Sequence, residues 1–236
     1  MATVTSIQQK INKGFAKAAT VLGDEYQWYR PSGVNIPVSI TNYMGVTKAQ
    51  FAQDKGLTFT APADFTTADR WYAFTQVDAL LEPGDYLVGQ QGTYFITDIE
   101  RFVSIHAVWT NRVINLGRLS STLTPGANGG YSGADISNPT PILTQWPVSL
   151  RVPGNSGRAR DPKMGLPTDA LTQFYLIILP PSATQQIINA GLGISAEAAI
   201  LKWNDLITDD LGRTYVVNGI EITPLGTRLV VEMWPT

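Results

Sequence analysis

Residues 204–217, NDLITDDLGRTYVV, read as a β-hairpin: a short apolar strand, an acidic turn with a glycine, and a second strand rich in Val and Tyr. Residues 84–97, GDYLVGQQGTYFIT, have the same construction. The two superpose at a constant offset of 120, which sets Leu81 against Leu201, Asp85 against Asp205, Gly92 against Gly212, Phe95 against Tyr215 and Ile96 against Val216. Asp85 and Asp205 are suited to accept hydrogen bonds from turn amides, and Gly92 and Gly212 to supply a positive φ, so all four read as structural turn residues.

The similarity extends outward. WPVSL (146–150) echoes IPVSI (36–40), the first compact alternating run of the chain. FYLIIL (174–179) stands where WYAFTQ (71–76) stands, and each copy closes on a long strand, HAVWTNRVINL (106–116) in the first and TRLVVEMW (227–234) in the second. Residues 44–70 are polar and turn-rich, with one helical turn expected near 48–54. The stretch 118–141, RLSSTLTPGANGGYSGADISNPTP, holds little that could be buried and reads as a linker. PPSATQQIINAGLGISAEAAILKW (180–203) carries helix-forming residues.

The reading is a mainly β chain with two small β-barrel or sandwich domains in tandem. An N-terminal α-helix and the first β-domain occupy 1–117, a Gly/Ser/Pro-rich linker 118–141, and the second β-domain 142–236, with a helical insertion near 183–202. The helix is marked by Ile7, Ile11, Phe15, Ala18, Ala19 and Leu22 at spacings of three and four, with Gly23 placed to end it. Its narrow apolar stripe, Ile7, Ile11 and Phe15 foremost, must lie on its own domain or on a neighbouring subunit.

Composition bounds the function. Of the 236 residues 44% are apolar and 15% charged, which suits a globular chain with a sizeable core. A net charge of -2 gives no field to gather nucleic acid, and the absence of cysteine removes disulfides and thiol chemistry and fits folding in a reducing cytoplasm. No window approaches the roughly 18 apolar residues of a membrane span, so no membrane partner is expected.

A search for chemistry finds no constellation. His106 is the single histidine and lies within a strand, with no activated-serine context. TDDLG (208–212) lacks the alternating ligands of a calcium loop, and no phosphate-binding glycine motif occurs. Catalytic, cofactor and metal sites are all read as none. A basic loop, RVPGNSGRARDPKMGLP (151–167), places Arg151, Arg158, Arg160 and Lys163 in a Gly- and Pro-rich stretch, either a solvated loop or an arm reaching an acidic neighbour or DNA.

The second hairpin and its closing strand, NDLITDDLGRTYVVNGIEITPLGTRLVVEM, resemble the small β-barrel of tailed-bacteriophage neck and tail connecting proteins. The layout of YRPSG (29–33), PGDYLVGQQGTYFI (83–96) and TNRV (110–113) behind an N-terminal helix is similar to proteins of phage structural-gene clusters. That resemblance implies a non-enzymatic virion protein, assembled in the bacterial host cytoplasm, whose copies form a homo-oligomeric ring, hexameric by expectation. It implies a place in the tail between the tube and the baseplate hub, with tube, hub or neck proteins as partners and a passing contact with DNA in the lumen. The alternatives are a head-to-tail neck connector, stopper or tail-terminator ring, and a carbohydrate-binding or cell-wall-degrading protein.

Overall fold

A computed structural model describes residues 4–52, 70–75, 80–99, 105–120, 135–152, 174–190, 201–223 and 225–234, and every structural statement concerns these residues. The chain opens with helix α1 (Val4–Leu22), followed by strands β1 (Asp24–Tyr29), β2 (Tyr43–Ala52), β3 (Arg70–Thr75), β4 (Tyr86–Gly89), β5 (Gly92–Asp98) and β6 (Ile105–Thr110). Strands β7 (Arg112–Ser120), β8 (Asp135–Arg151) and β9 (Phe174–Leu179), helix α2 (Pro181–Asn189), and strands β10 (Leu206–Asp209), β11 (Thr214–Thr223) and β12 (Gly226–Met233) complete it.

The strands close into two barrels, in the orders β1-β2-β3-β6-β5-β4 and β7-β8-β9-β12-β11-β10. These are the same circuit written twice, so the two tandem barrels expected from the hairpins are present. Closure removes the unpaired edges that a small open sheet would expose. The register repeats as well: Trp28 lies between Leu87 and Gly45, and Leu116 lies between Ile207 and Leu143. Tyr29 faces Tyr86 as Gly117 faces Leu206.

Register also corrects the hairpin superposition. Tyr86 pairs with Phe95, but Leu206 pairs with Val216, so the second strand of the hairpin is offset by one residue more than the first. Tyr94 corresponds to Tyr215 and Ile96 to Val217, and each pair points into its own barrel. A slip of one residue exchanges the two faces of a strand, which is why a constant offset cannot hold. The extra residue sits in the turn. Gly92 (φ +131°) opens β5, and a Cβ there would come 2.6 Å from Trp109 Nε1, whereas Gly212 (φ +76°) lies inside the longer turn with open space around it. The two glycines serve different purposes.

Other expectations are corrected. IPVSI is not a strand, and WPVSL in β8 corresponds to residues 47–51 of β2, the segment expected to hold a helical turn. The run 106–116 divides at Asn111 into the last strand of one barrel and the first of the next. The side-chain amide of Asn111 donates to the Leu150 carbonyl and accepts from the Leu150 N–H, both at 2.8 Å, so it stands in for a peptide group at the crossing. The proposed linker is therefore internal to the second barrel: 118–120 belong to β7 and 135–141 to β8, while 121–134 lie outside the described residues. Of the helical insertion, α2 accounts for 181–189, and 191–200 are not described.

The cores differ in filling. Phe51 stacks on Tyr94 at 3.8 Å between ring centres with Tyr26 edge-on in the first barrel, and aliphatic Ile114, Leu116, Leu143, Ile177 and Leu229 dominate the second. Helix α1 lies against β2 and β3 through buried Ala16 and Ala19, with Phe15 on Phe74 at 5.1 Å, and the Gly23 N–H caps Ala19 at 2.9 Å. Ile7 and Leu22 are exposed and Ile11 is half-buried, so the middle of the stripe, Phe15 to Ala19, makes the contact within the described residues.

The barrels share an apolar junction. Tyr86, Phe95 and Val108, adjacent across three strands on the outside of the first barrel, are buried in one cluster with residues of the second. The Tyr86 hydroxyl donates to the Pro147 carbonyl (2.8 Å), Trp146 Nε1 to the Val34 carbonyl (2.6 Å) and Ser182 Oγ to the Gly84 carbonyl (2.8 Å). Gly84 has φ +93°, and a Cβ on it would stand 2.6 Å from Ser182 Oγ. Gly84→Ala should cost about 1–3 kcal/mol through overpacking at this junction, in addition to its backbone strain. Urea denaturation reads the loss, and unchanged stability would show that the junction yields easily.

Candidate assembly surfaces

The two turn aspartates come first, because they close the barrels. Asp85 precedes β4, and both its oxygens accept from Arg30, which follows β1: Nε donates to Oδ1 and Nη2 to Oδ2, each at 2.9 Å. Oδ2 also accepts from Trp28 Nε1 (2.8 Å) and the Glu82 N–H (2.7 Å). In the second barrel Asp205 accepts from Arg118 at 3.0 and 3.1 Å and from the Lys202 N–H at 2.8 Å. The backbone repeats too: Gly84 and Asn204, both at positive φ, donate to the carbonyls of Ile96 and Val217, whose amides donate back to Asp85 and Asp205. Each clamp ties the first strand of its barrel to the fourth, the pair that completes the circuit.

The turn reading of Asp85 and Asp205 is thus matched by their contacts, while their arginine partners escaped the sequence. Arg30 and Arg118 are each followed two residues later by serine, a signal too short to find them. The clamps are not duplicates in charge, because Arg30 also pairs with Glu82 at 2.7 Å, and the residue in that place beside Arg118 is Lys202.

The TDDLG turn holds a third carboxylate cluster. Burial pushes the Asp209 carboxyl upward, but hydrogen bonds from the Arg213 backbone and guanidinium, the Tyr215 hydroxyl and the Leu211 N–H outweigh it and hold the group below the usual carboxylate range. Its acceptor sites are filled by protein donors, an arrangement for turn stability rather than cation capture. Among the described residues no group of three His, Asp or Glu could hold a metal ion. His106 is buried in β6 with its ring edge-on to Tyr72.

The outer surfaces of both barrels carry exposed apolar side chains. Residues 40–46 of the first barrel put Ile40, Tyr43, Met44 and Val46 in solvent, Ile40 84% exposed and Val46 56%. On the second barrel Phe174 of β9, across the ladder from Glu232, and Trp234, just past the end of β12, are each 45% exposed. The matching outer faces over β1 and β7 are open grooves, one beside Gln27, Val46 and Val88, the other of about 580 Å³ beside Asn115, Pro141 and Leu206. Of the sequence-derived interface residues, Phe15 is consumed by packing on Phe74, Ile7 remains exposed, and Arg151 ends β8 half-buried. Arg158, Arg160 and Lys163 lie outside the described residues. No protein-family model, curated protein or solved structure matches the chain.

Two outcomes follow from the clamps and the buried phenols. Asp85→Ala and Asp205→Ala should each cost about 3–5 kcal/mol in urea denaturation, because the arginine and the turn amide lose their shared acceptor in a largely buried site. A loss below about 1 kcal/mol would make the clamp incidental. Burial raises Tyr26 and Tyr215 to about 12, helped by Tyr94 and Asp24 at the first and by the Asp209 hydrogen bond at the second. A raised folded-state pKa gives stability that is complete below the unfolded value of about 10 and lost as pH climbs toward the folded one. Circular dichroism and tyrosinate absorbance should therefore change together between pH 10 and about 12; ionisation of these tyrosines near pH 10 with the fold intact would contradict the assignment.

Proposed function

We propose that the chain is a non-enzymatic structural protein of a tailed-bacteriophage virion whose copies form a ring joining the tail tube to the baseplate hub. The observation that carries this reading is the fusion of two equivalent closed barrels with exposed apolar outer faces. A closed barrel offers no strand edge for pairing, so a partner must be met through side chains on its outside or its loops. Two such barrels held by a packed junction form a stiff unit, suited to carrying load between one assembly and the next. The absence of strong net charge fits a subunit that meets proteins rather than coats nucleic acid.

Immunogold labelling of virions of the phage that encodes the chain tests this. The expected result is one site of label per particle at the distal end of the tube, with about six copies by quantitative mass spectrometry, the number expected of a hexameric ring. Label at the head-proximal end would move the ring to the neck. Absence from particles, or release of soluble fragments from peptidoglycan by the purified chain, would overturn the reading.

A further inference from the structure

The junction within the chain joins two unlike faces. One is the row Tyr86, Phe95 and Val108 on the first barrel; the other is the β8 segment 144–147 with the start of α2 on the second. Because strand order and register repeat, the strand rows of both faces have counterparts on the opposite barrel, although among the described residues α2 has none and Leu206, in the place of Tyr86, is already buried within its own chain.

The counterparts can be read off the ladders. Leu206, Val216 and Glu232 pair in succession as Tyr86, Phe95 and Val108 do, and Phe174 extends that row across β9. Trp234 lies two residues beyond Glu232, just past the end of β12, where its N–H donates to the Thr214 carbonyl at 2.8 Å. On the first barrel, Thr47 and Lys48 face Tyr26 and Glu25 as Trp146 and Pro147 face Ile114 and Val113, and Val46 occupies the place of the bulged pair Thr144 and Gln145.

Scattered exposed apolar side chains are ordinary. Here Val46 and Phe174 stand on the two rows that the internal junction singles out, with exposed Ile40 and Met44 earlier in the chain beside the first and exposed Trp234 after Glu232 beside the second. The positions of Pro147 and Val108 are taken on these faces by Lys48, with Glu25 across the ladder from it, and by Glu232, which accepts from Asn218 Nδ2 at 2.6 Å.

We infer that the Phe174–Val216–Trp234 face of one copy docks on the Ile40–Lys48 face of the next, repeating between chains the junction that joins the barrels within a chain. The contact is head-to-tail, so it propagates until it closes, and a ring of any number of copies becomes a circle of twice as many barrels. The inference rests on the reading of the chain as a self-assembling ring, and it names the surfaces that make it.

The natural chain has no cysteine, which permits a direct test. Full-length chain carrying Val46→Cys and Phe174→Cys together, treated with a short bismaleimide at high protein concentration, should give a ladder of dimers, trimers and higher species. Each single variant should give almost none. Both positions are exposed, and an unchanged melting curve checks the fold. In a second arm, Val46→Asp and Phe174→Asp should each raise the concentration for half-assembly by about tenfold or more, the scale of roughly 1.4 kcal/mol in an association constant. Mixing these two variants should produce a capped heterodimer through the one intact face of each.

No ladder from the double-cysteine chain, or equal cross-linking by Val46→Cys alone, would overturn the inference. If that happens while labelled rings persist in virions, the faces are wrong and the virion role stands. A ladder from a chain absent from virions would give the reverse.

Discussion

Each barrel is closed by one buried carboxylate held in the fork of one arginine. Asp85 with Arg30, and Asp205 with Arg118, sit where the first and fourth strands meet, and each aspartate also accepts the turn amide that sets the following strand in register. A carboxylate taken from water is tolerable only with its acceptor sites filled, and here the fork and the turn amide fill them from opposite sides of the seam. The constraint is geometric as much as energetic. Moving either strand by one residue would break the fork and turn the inward Tyr26 or Leu87 of the first barrel, or Ile114 or Ile207 of the second, to the outside.

From this closure follows the use of the outer faces. With every strand of the described ladders paired on both sides, interaction must come from side chains standing on the barrels. The chain applies that solution internally: Tyr86, Phe95 and Val108 bury themselves against the second barrel, and the Tyr86 hydroxyl still finds a carbonyl there. The repeated circuit then gives each strand row a second copy on the same molecule, with Phe174 and Val46 exposed there.

Much of this was legible in the sequence, and the losses have physical causes. Helix α1 was readable because its stripe and Gly23 agree, and the hairpins because apolar strands flank polar turns. Their register was not readable: Asp85 and Asp205 align at one offset and Tyr94 and Tyr215 at another, since the extra turn residue before Arg213 is invisible to composition. Strand β8 was missed over 135–141 because Pro139 and Pro141 and its polar neighbours imitate a linker, and a bulged strand tolerates proline where no ladder N–H is required. IPVSI misled in the other direction, its alternation serving a loop that hydrogen-bonds through Ile36 to Thr144 of the second barrel. The candidate faces were less legible still. Exposure of Val46 or Phe174 depends on which barrel covers which row, and only the folded chain decides that.

Electron cryomicroscopy of the assembled full-length chain bears most directly on the idea that one junction serves both within and between chains. The account predicts a closed ring in which the contact between subunits superposes on the contact between the barrels of one subunit, with Val46 facing Phe174 of the neighbour. A two-fold symmetric pair, or a ring whose subunits meet through other faces, would contradict it.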